Sequence, residues 1–204
     1  MERHDFMVNV MAGKQAKILT KTQIDMALMS FEMTRHTERN RVLFLLSVKG
    51  GLRACECANL RWSMLMDANA QVSDVIALED RIAKKSSGRT IPLNRDLKAA
   101  LVALADQCKP SPNDFVIQSE RGGPMSPNTV VHWFRRLYAR LGFVGCSSHS
   151  GRRTAITMMA RKIGSVGSAS LRDIQEIVGH KSLQMTATYI QGDTQAKRKL
   201  VNLI

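Results

Sequence analysis

The chain has 204 residues and carries 30 Lys and Arg against 17 Asp and Glu, a formal net charge of +13. A hydrophobic fraction of 44% is enough for a packed core and excludes a disordered polar tail. So large a positive excess concentrates polyanions around the protein, and nucleic acid is the partner it points to, because each neutralised phosphate also releases counterions.

Residues 1–19 are short and polar and read as an N-terminal arm. Helix signals begin at Thr20, a cap with Gln23 three residues on. Residues 41–48 form an apolar, helix-like run that Gly50 and Gly51 stop, and a new helix is expected from Leu52 and Arg53. Residues 75–78 and 89–93 are short strand candidates around the polar turn 84–88, predicting a small antiparallel hairpin or meander. Residues 97–107 return to helical spacing, with Leu97, Leu101 and Leu104 on one face. A short strand is expected at Phe115-Val116-Ile117, in a loop-rich stretch.

Residues 128–141 predict a basic amphipathic helix, with Trp133 and Phe134 in the core and Arg135, Arg136 and Arg140 facing outward as DNA contacts. Further helices are expected over 153–163, over 171–178 with Gly179 as its stop, and over 186–190. The fold class is therefore α+β and mainly helical. No internal repeat or long linker divides the chain.

No run reaches the roughly 18 apolar residues that a spanning helix needs, and residues 1–16 lack the apolar centre of a signal peptide. A cytoplasmic, nucleoid-associated protein with no membrane partner is expected. Cys55, Cys57, Cys108 and Cys146 show no paired C-x-x-C spacing, so neither a zinc site nor a structural disulfide is expected.

Six residues bear chemistry: Arg53, Lys84, His149, Arg152, His180 and Tyr189. His149 and Arg152 stand three apart, which puts both on one face at a helix start. Arg offers a planar fork that matches a phosphate, and His exchanges a proton near neutral pH. Arg53 follows two glycines and precedes Glu56, which can hold its side chain. His180 falls in the turn after Gly179, nine residues before Tyr189. Lys84 sits at the hairpin turn, where it can reach a DNA groove as a mobile charge. Taken singly, each has an ordinary explanation: an ion pair, a turn lysine, a loop histidine, a half-buried tyrosine.

Together, Gly51-Leu52-Arg53-Ala54-Cys55-Glu56, Lys84 before Arg89-Thr90-Ile91-Pro92-Leu93, His149-Ser150-Gly151-Arg152, Val178-Gly179-His180 and Tyr189 resemble the ordered motifs of the tyrosine recombinases, the family of phage integrases and fimbrial-switch invertases. The likeness covers roughly residues 20–192, the family's catalytic domain, and leaves residues 193–204 as a tail. Family members usually have Leu where Gly151 stands, and Gly151 is expected to loosen local packing. Most members also carry a core-binding domain of about a hundred residues ahead of the catalytic domain. This chain is similar to the short members, such as the fimbrial-switch invertases.

The resemblance implies a DNA strand-exchange enzyme without cofactor or metal. Tyr189 would be the nucleophile forming a 3′-phosphotyrosine, and His149 its base. Arg53, Arg152 and His180 would hold the phosphate, and Lys84 would be the general acid. Lys85 and Arg89 are expected on DNA beside Lys84. The implied partners are double-stranded DNA, further copies of the chain in a tetramer, and DNA-bending accessory proteins. The tail would dock on a neighbouring subunit. A catalytically silent DNA-binding regulator and a type IB topoisomerase are the competing functions.

Overall fold

The computed structural model describes residues 15–83, 88–189 and 201–202. The elements run α1 (Lys21–Met29), α2 (Thr37–Val48), α3 (Ala54–Asn59), β1 (Val75–Leu78), β2 (Arg89–Pro92), α4 (Arg95–Cys108), α5 (Pro127–Arg140), α6 (Ser150–Lys162), α7 (Leu171–Val178) and α8 (Leu183–Ala187). This is the helical α+β fold expected, with one two-stranded antiparallel sheet.

Local chemistry sets the element ends. Thr20 Oγ1 accepts from the Gln23 N–H at 3.2 Å, while the Gln23 side chain accepts from the Thr20 N–H at 3.0 Å. This reciprocal capping box starts α1 where the sequence places it. Asn94 and Ser126 cap α4 and α5 through their side-chain oxygens, and Pro127 occupies the first turn of α5.

The apolar run of α2 forms the centre of the protein. Val42, Leu43, Phe44, Leu45, Leu46 and Val48 are all buried, so this helix is enclosed rather than amphipathic. It packs against α3, α4 and α6. α4 presents Leu97, Ala100, Leu101 and Leu104 to the core. α5 adds Val130, Phe134, Leu137 and Tyr138, while Trp133 packs edge-on to Phe134 with ring centroids 4.9 Å apart. Arg135, Arg136 and Arg140 lie exposed on the other side of α5.

β1 pairs with β2 in the register Val75↔Pro92 to Leu78↔Arg89. Ile76, Leu78 and Ile91 turn into the core from this ribbon. The strand expected at residues 115–117 is absent: Phe115 makes one isolated bridge to Arg61, and the Arg61 guanidinium lies 4.0 Å over the Phe115 ring. Val116 and Ile117 are buried without a ladder, which apolarity alone does not distinguish from a strand.

Three other boundaries move. α3 starts at Ala54, with Arg53 as its N-cap, and α6 starts at Ser150, after His149. Ser182 caps α8, so that helix spans Leu183–Ala187 and ends before Tyr189 instead of running through it. The segment before Thr20, read as the end of an arm, is tied to the body. The Lys17 N–H bonds Gly145 O at 3.0 Å, and the buried Leu19 donates to Thr154 Oγ1 at 2.8 Å.

Gly151 does the opposite of loosening its surroundings. A Cβ at this position would meet Ser47 Oγ at 2.3 Å and Ser47 Cβ at 2.9 Å. The missing side chain lets α6 approach α2 closely, and the packing there is tight.

Candidate active site

The site is built on the C-terminal end of α7. Gly179 adopts φ +64°, and the Gly179 and His180 N–H groups turn back to the carbonyls of Glu176 (3.2 Å) and Gln175 (3.1 Å). This left-handed helix end leaves the next three carbonyls free, at the negative pole of the helix. An arginine takes each one. Arg89 Nε donates to Ile177 O at 2.7 Å, Arg152 Nη2 to Val178 O at 2.7 Å, and Arg53 Nη2 to Gly179 O at 3.2 Å. Three cations from β2, α6 and the start of α3 are thereby gathered at one helix end.

Glu56 neutralises part of this charge. Its carboxylate is fully buried; it accepts from Arg53 Nη1 at 2.9 Å and from the Arg53 backbone N–H at 2.8 Å. It also accepts both terminal nitrogens of Arg89, at 3.0 and 3.1 Å, a bidentate pair. Burial alone would push the Glu56 carboxyl up, but the bonds and charge of Arg89 and then Arg53 outweigh it and hold the carboxyl below its ordinary value. Arg152 pairs with no carboxylate among the described residues. It donates to Gly51 O at 2.5 Å as well as to Val178 O, and burial, then the charge of Arg53, pushes its pKa down to about 10. It keeps its charge at neutral pH.

Arg53, His149, Arg152, His180 and Tyr189 all line one open cavity of about 390 Å³. His149 stands exposed at the N-cap of α6. His180 is buried, with Nδ1 3.0 Å from Thr186 Oγ1, and its ring stacks on Tyr189 with centroids 5.4 Å apart and planes 25° apart. Burial first, then Arg152, Arg53 and Arg89, push the His180 pKa down to about 4, so this imidazole is neutral at physiological pH. Tyr189 is half-buried in the turn after α8.

The other expected site residues fall elsewhere. Lys84 and Lys85 lie outside the described residues. Arg89, expected as an outward DNA contact, points inward: its side chain is 7% exposed and is committed to Glu56 and Ile177 O. Arg135, Arg136 and Arg140 are exposed on α5, which packs against α3.

Arg153 was not singled out from the sequence. It lines the cavity, its guanidinium stands 5.9 Å from the Tyr189 ring centroid, and its buried Nε has no hydrogen-bond partner among the described residues. Its position four residues after His149 was the available signal, since that spacing shares a helix face. All four cysteines are free thiols, and burial pushes Cys57 well up. Among the described residues no three His, Cys, Asp or Glu side chains are placed to hold a metal ion.

Such a site, with three arginines, two histidines and a tyrosine on one cavity, is suited to a phosphodiester. The chain belongs to the phage integrase family, whose model matches residues 17–196. It is 27% identical over 161 residues to the tyrosine recombinase XerC of Anoxybacillus flavithermus, covering 74% of this chain and 49% of that protein. Its fold matches the crystal structure of XerA recombinase with a TM-score of 0.71 at 21% identity, over 94% of this chain and 66% of that one. It also matches the XerH site-specific recombinase bound to a palindromic difH substrate after cleavage, with a TM-score of 0.69 at 20% identity, over 92% of this chain and 53% of that one. The chain spans about half the length of relatives such as XerC. These relatives are Xer recombinases, and none of them is a fimbrial-switch invertase.

Proposed function

We propose that the chain carries the catalytic centre of a site-specific DNA recombinase, which cuts and rejoins strands through a 3′-phosphotyrosine at Tyr189. The observation that carries this reading is the convergence of Arg53, Arg152, His149 and His180 with Tyr189 on one cavity. The relatives are named recombinases, and the XerH structure holds its DNA substrate.

The chemistry balances without an external energy source. Tyr189 Oη attacks the phosphorus and gives its proton to His149. A phosphotyrosine bond forms and the bond to the 5′-oxygen breaks; that oxygen takes a proton from Lys84. The 5′-hydroxyl of a partner strand then gives its proton to Lys84 and attacks the phosphorus; the phosphotyrosine bond breaks, Tyr189 takes its proton back from His149, and a phosphodiester is restored. Phenol is a weak nucleophile at neutral pH, so base and cationic surroundings are both needed. Arg53 and Arg152 face the phosphate oxygens as negative charge builds in the transition state, and preorganised donors of this kind are worth about 3 kcal/mol each. Their backbone carbonyl bonds fix them before substrate arrives, and no cofactor enters the scheme.

The partner is duplex DNA, met in the cytoplasm, with the exposed arginines of α5 on phosphates. Four copies would assemble on two duplexes, aided by DNA-bending proteins, with residues 193–204 docking on a neighbour. A truncation after Gly192 that leaves assembly on DNA unchanged would rule out that docking.

The test is incubation with a pool of random-sequence duplexes, each carrying a nick, followed by a denaturing wash and sequencing of the DNA that stays attached. A covalent adduct that Tyr189→Phe abolishes while DNA binding persists is expected. An adduct that survives in Tyr189→Phe rejects the assigned nucleophile.

A further inference from the structure

His180 is held from behind by a residue that the proposed reaction does not use. Its Nδ1 lies 3.0 Å from Thr186 Oγ1, and both residues are buried, Thr186 completely. The other ring nitrogen, Nε2, bonds to no described residue, and His180 lines the cavity. Gln175 Nε2 donates to His180 O at 3.0 Å and pins the backbone at the same point.

We infer that Thr186 is a positioning residue whose hydroxyl donates to His180 Nδ1 and fixes the tautomer carrying its proton on Nε2, toward the cavity.

A threonine hydroxyl donates one hydrogen bond and can also accept, so the 3.0 Å contact alone allows either tautomer. The cavity decides between them. A neutral imidazole has one N–H to offer, and His180 is neutral at physiological pH. The ring lines a cavity shared with Arg53, Arg152 and Arg153, a place for an anion, and Nε2 is the ring nitrogen that Thr186 leaves free for it. A ring lone pair there repels an anionic oxygen, whereas an N–H binds it. With the proton on Nε2, Nδ1 carries the lone pair, and Thr186 must donate. Thr186 also precedes Tyr189 by three residues, and the Tyr189 N–H bonds Thr186 O at 3.1 Å. One short segment therefore sets both the nucleophile and the histidine that stacks on it.

Nε2 as donor rests on the phosphate reading of the cavity, but the tautomer is measurable without DNA. The experiment is a long-range proton–nitrogen NMR correlation on the 15N-labelled chain, with the His180 ring identified by its loss in His180→Gln. The wild-type chain is expected to show a protonated, pyrrole-type Nε2 and a pyridine-type Nδ1. A protonated Nδ1 in the wild type overturns the inference, whatever the variants do. Thr186→Val, nearly the same shape without the hydroxyl, is expected to move both ring shifts toward a tautomer mixture, and Thr186→Ser to restore them. Unchanged ring shifts in Thr186→Val also overturn it. With a duplex recovered from the nicked pool, adduct formation should slow about tenfold in Thr186→Val and recover in Thr186→Ser, a smaller loss than the roughly 100-fold cost of removing a preorganised donor outright. If the wild-type chain forms no adduct, the recombinase reading fails, while the ring shifts still decide the role of Thr186.

Discussion

Gly179 faces Arg89 so closely that a Cβ built on it would stand 2.9 Å from Arg89 Nη1. Its φ of +64° lies where side chains are strained, so both backbone and space require glycine. Gly179→Ala is expected to cost about 1–2 kcal/mol from the left-handed backbone alone. It should also push Arg89 off Glu56 and disturb Arg53 through the shared carboxylate. Thermal unfolding and adduct formation check this: a lowered Tm with a disproportionate loss of adduct is expected.

Much of this frame was legible in the sequence. The Thr20 and Gln23 capping box, the glycine stop after α7 and the alternation around β1 and β2 are local signals, and local chemistry produces them. The face of α4 followed from the spacing of Leu97, Leu101 and Leu104. Phe115 to Ile117 misled because buried apolar residues look alike with or without a strand partner. α8 begins earlier than residues 186–190 suggest, because the Ser182 side chain caps it by accepting from the Met185 N–H. Within the site, motif order brought Arg53, His149, Arg152, His180 and Tyr189 to one cavity. Arg89 was misread because its partner Glu56 is 33 residues away in sequence, and a surface-looking arginine shows its burial only once the chain has folded.

The Glu56–Arg89 pair is a buried charge pair, and removing one member leaves the other uncompensated. Glu56→Ala is expected to destabilise the protein by about 3–5 kcal/mol. Glu56→Gln keeps the shape and should cost less. Urea unfolding of the two variants against the parent measures the difference, and equal stability of Glu56→Ala and the parent would refute the role.

Acid should weaken the fold in two stages. The unfolded His180 titrates near 6.5 and the folded one at about 4, so the unfolded chain takes up the proton first. Stability from this group is present above about pH 6.5 and is lost as pH falls toward 4. Glu56 is held below its ordinary value, so its contribution is present above about pH 4.3 and is lost at lower pH. His36, lowered chiefly by its own burial, adds to the upper stage. The urea midpoint should therefore fall between pH 7 and pH 5, and His180→Gln should reduce that fall.

Arg135, Arg136 and Arg140 on α5 should act as phosphate contacts without sequence preference. Each one that neutralises a phosphate contributes about 0.9 to the slope of log affinity against log salt. Changing all three to Gln is expected to flatten that slope by up to about 2.7 on random duplex DNA and to leave Tm nearly unchanged. An unaltered slope would place the DNA on another face.

The central claim is the covalent bond from Tyr189 to the 3′ side of the break. Nuclease digestion of the trapped adduct, followed by peptide mass spectrometry, measures it directly. A nucleotide 3′-phosphate on the peptide containing Tyr189, with a free 5′-hydroxyl on the released strand, is the predicted result. A nucleotide on any other residue, or a 5′-phosphate linkage, would contradict it.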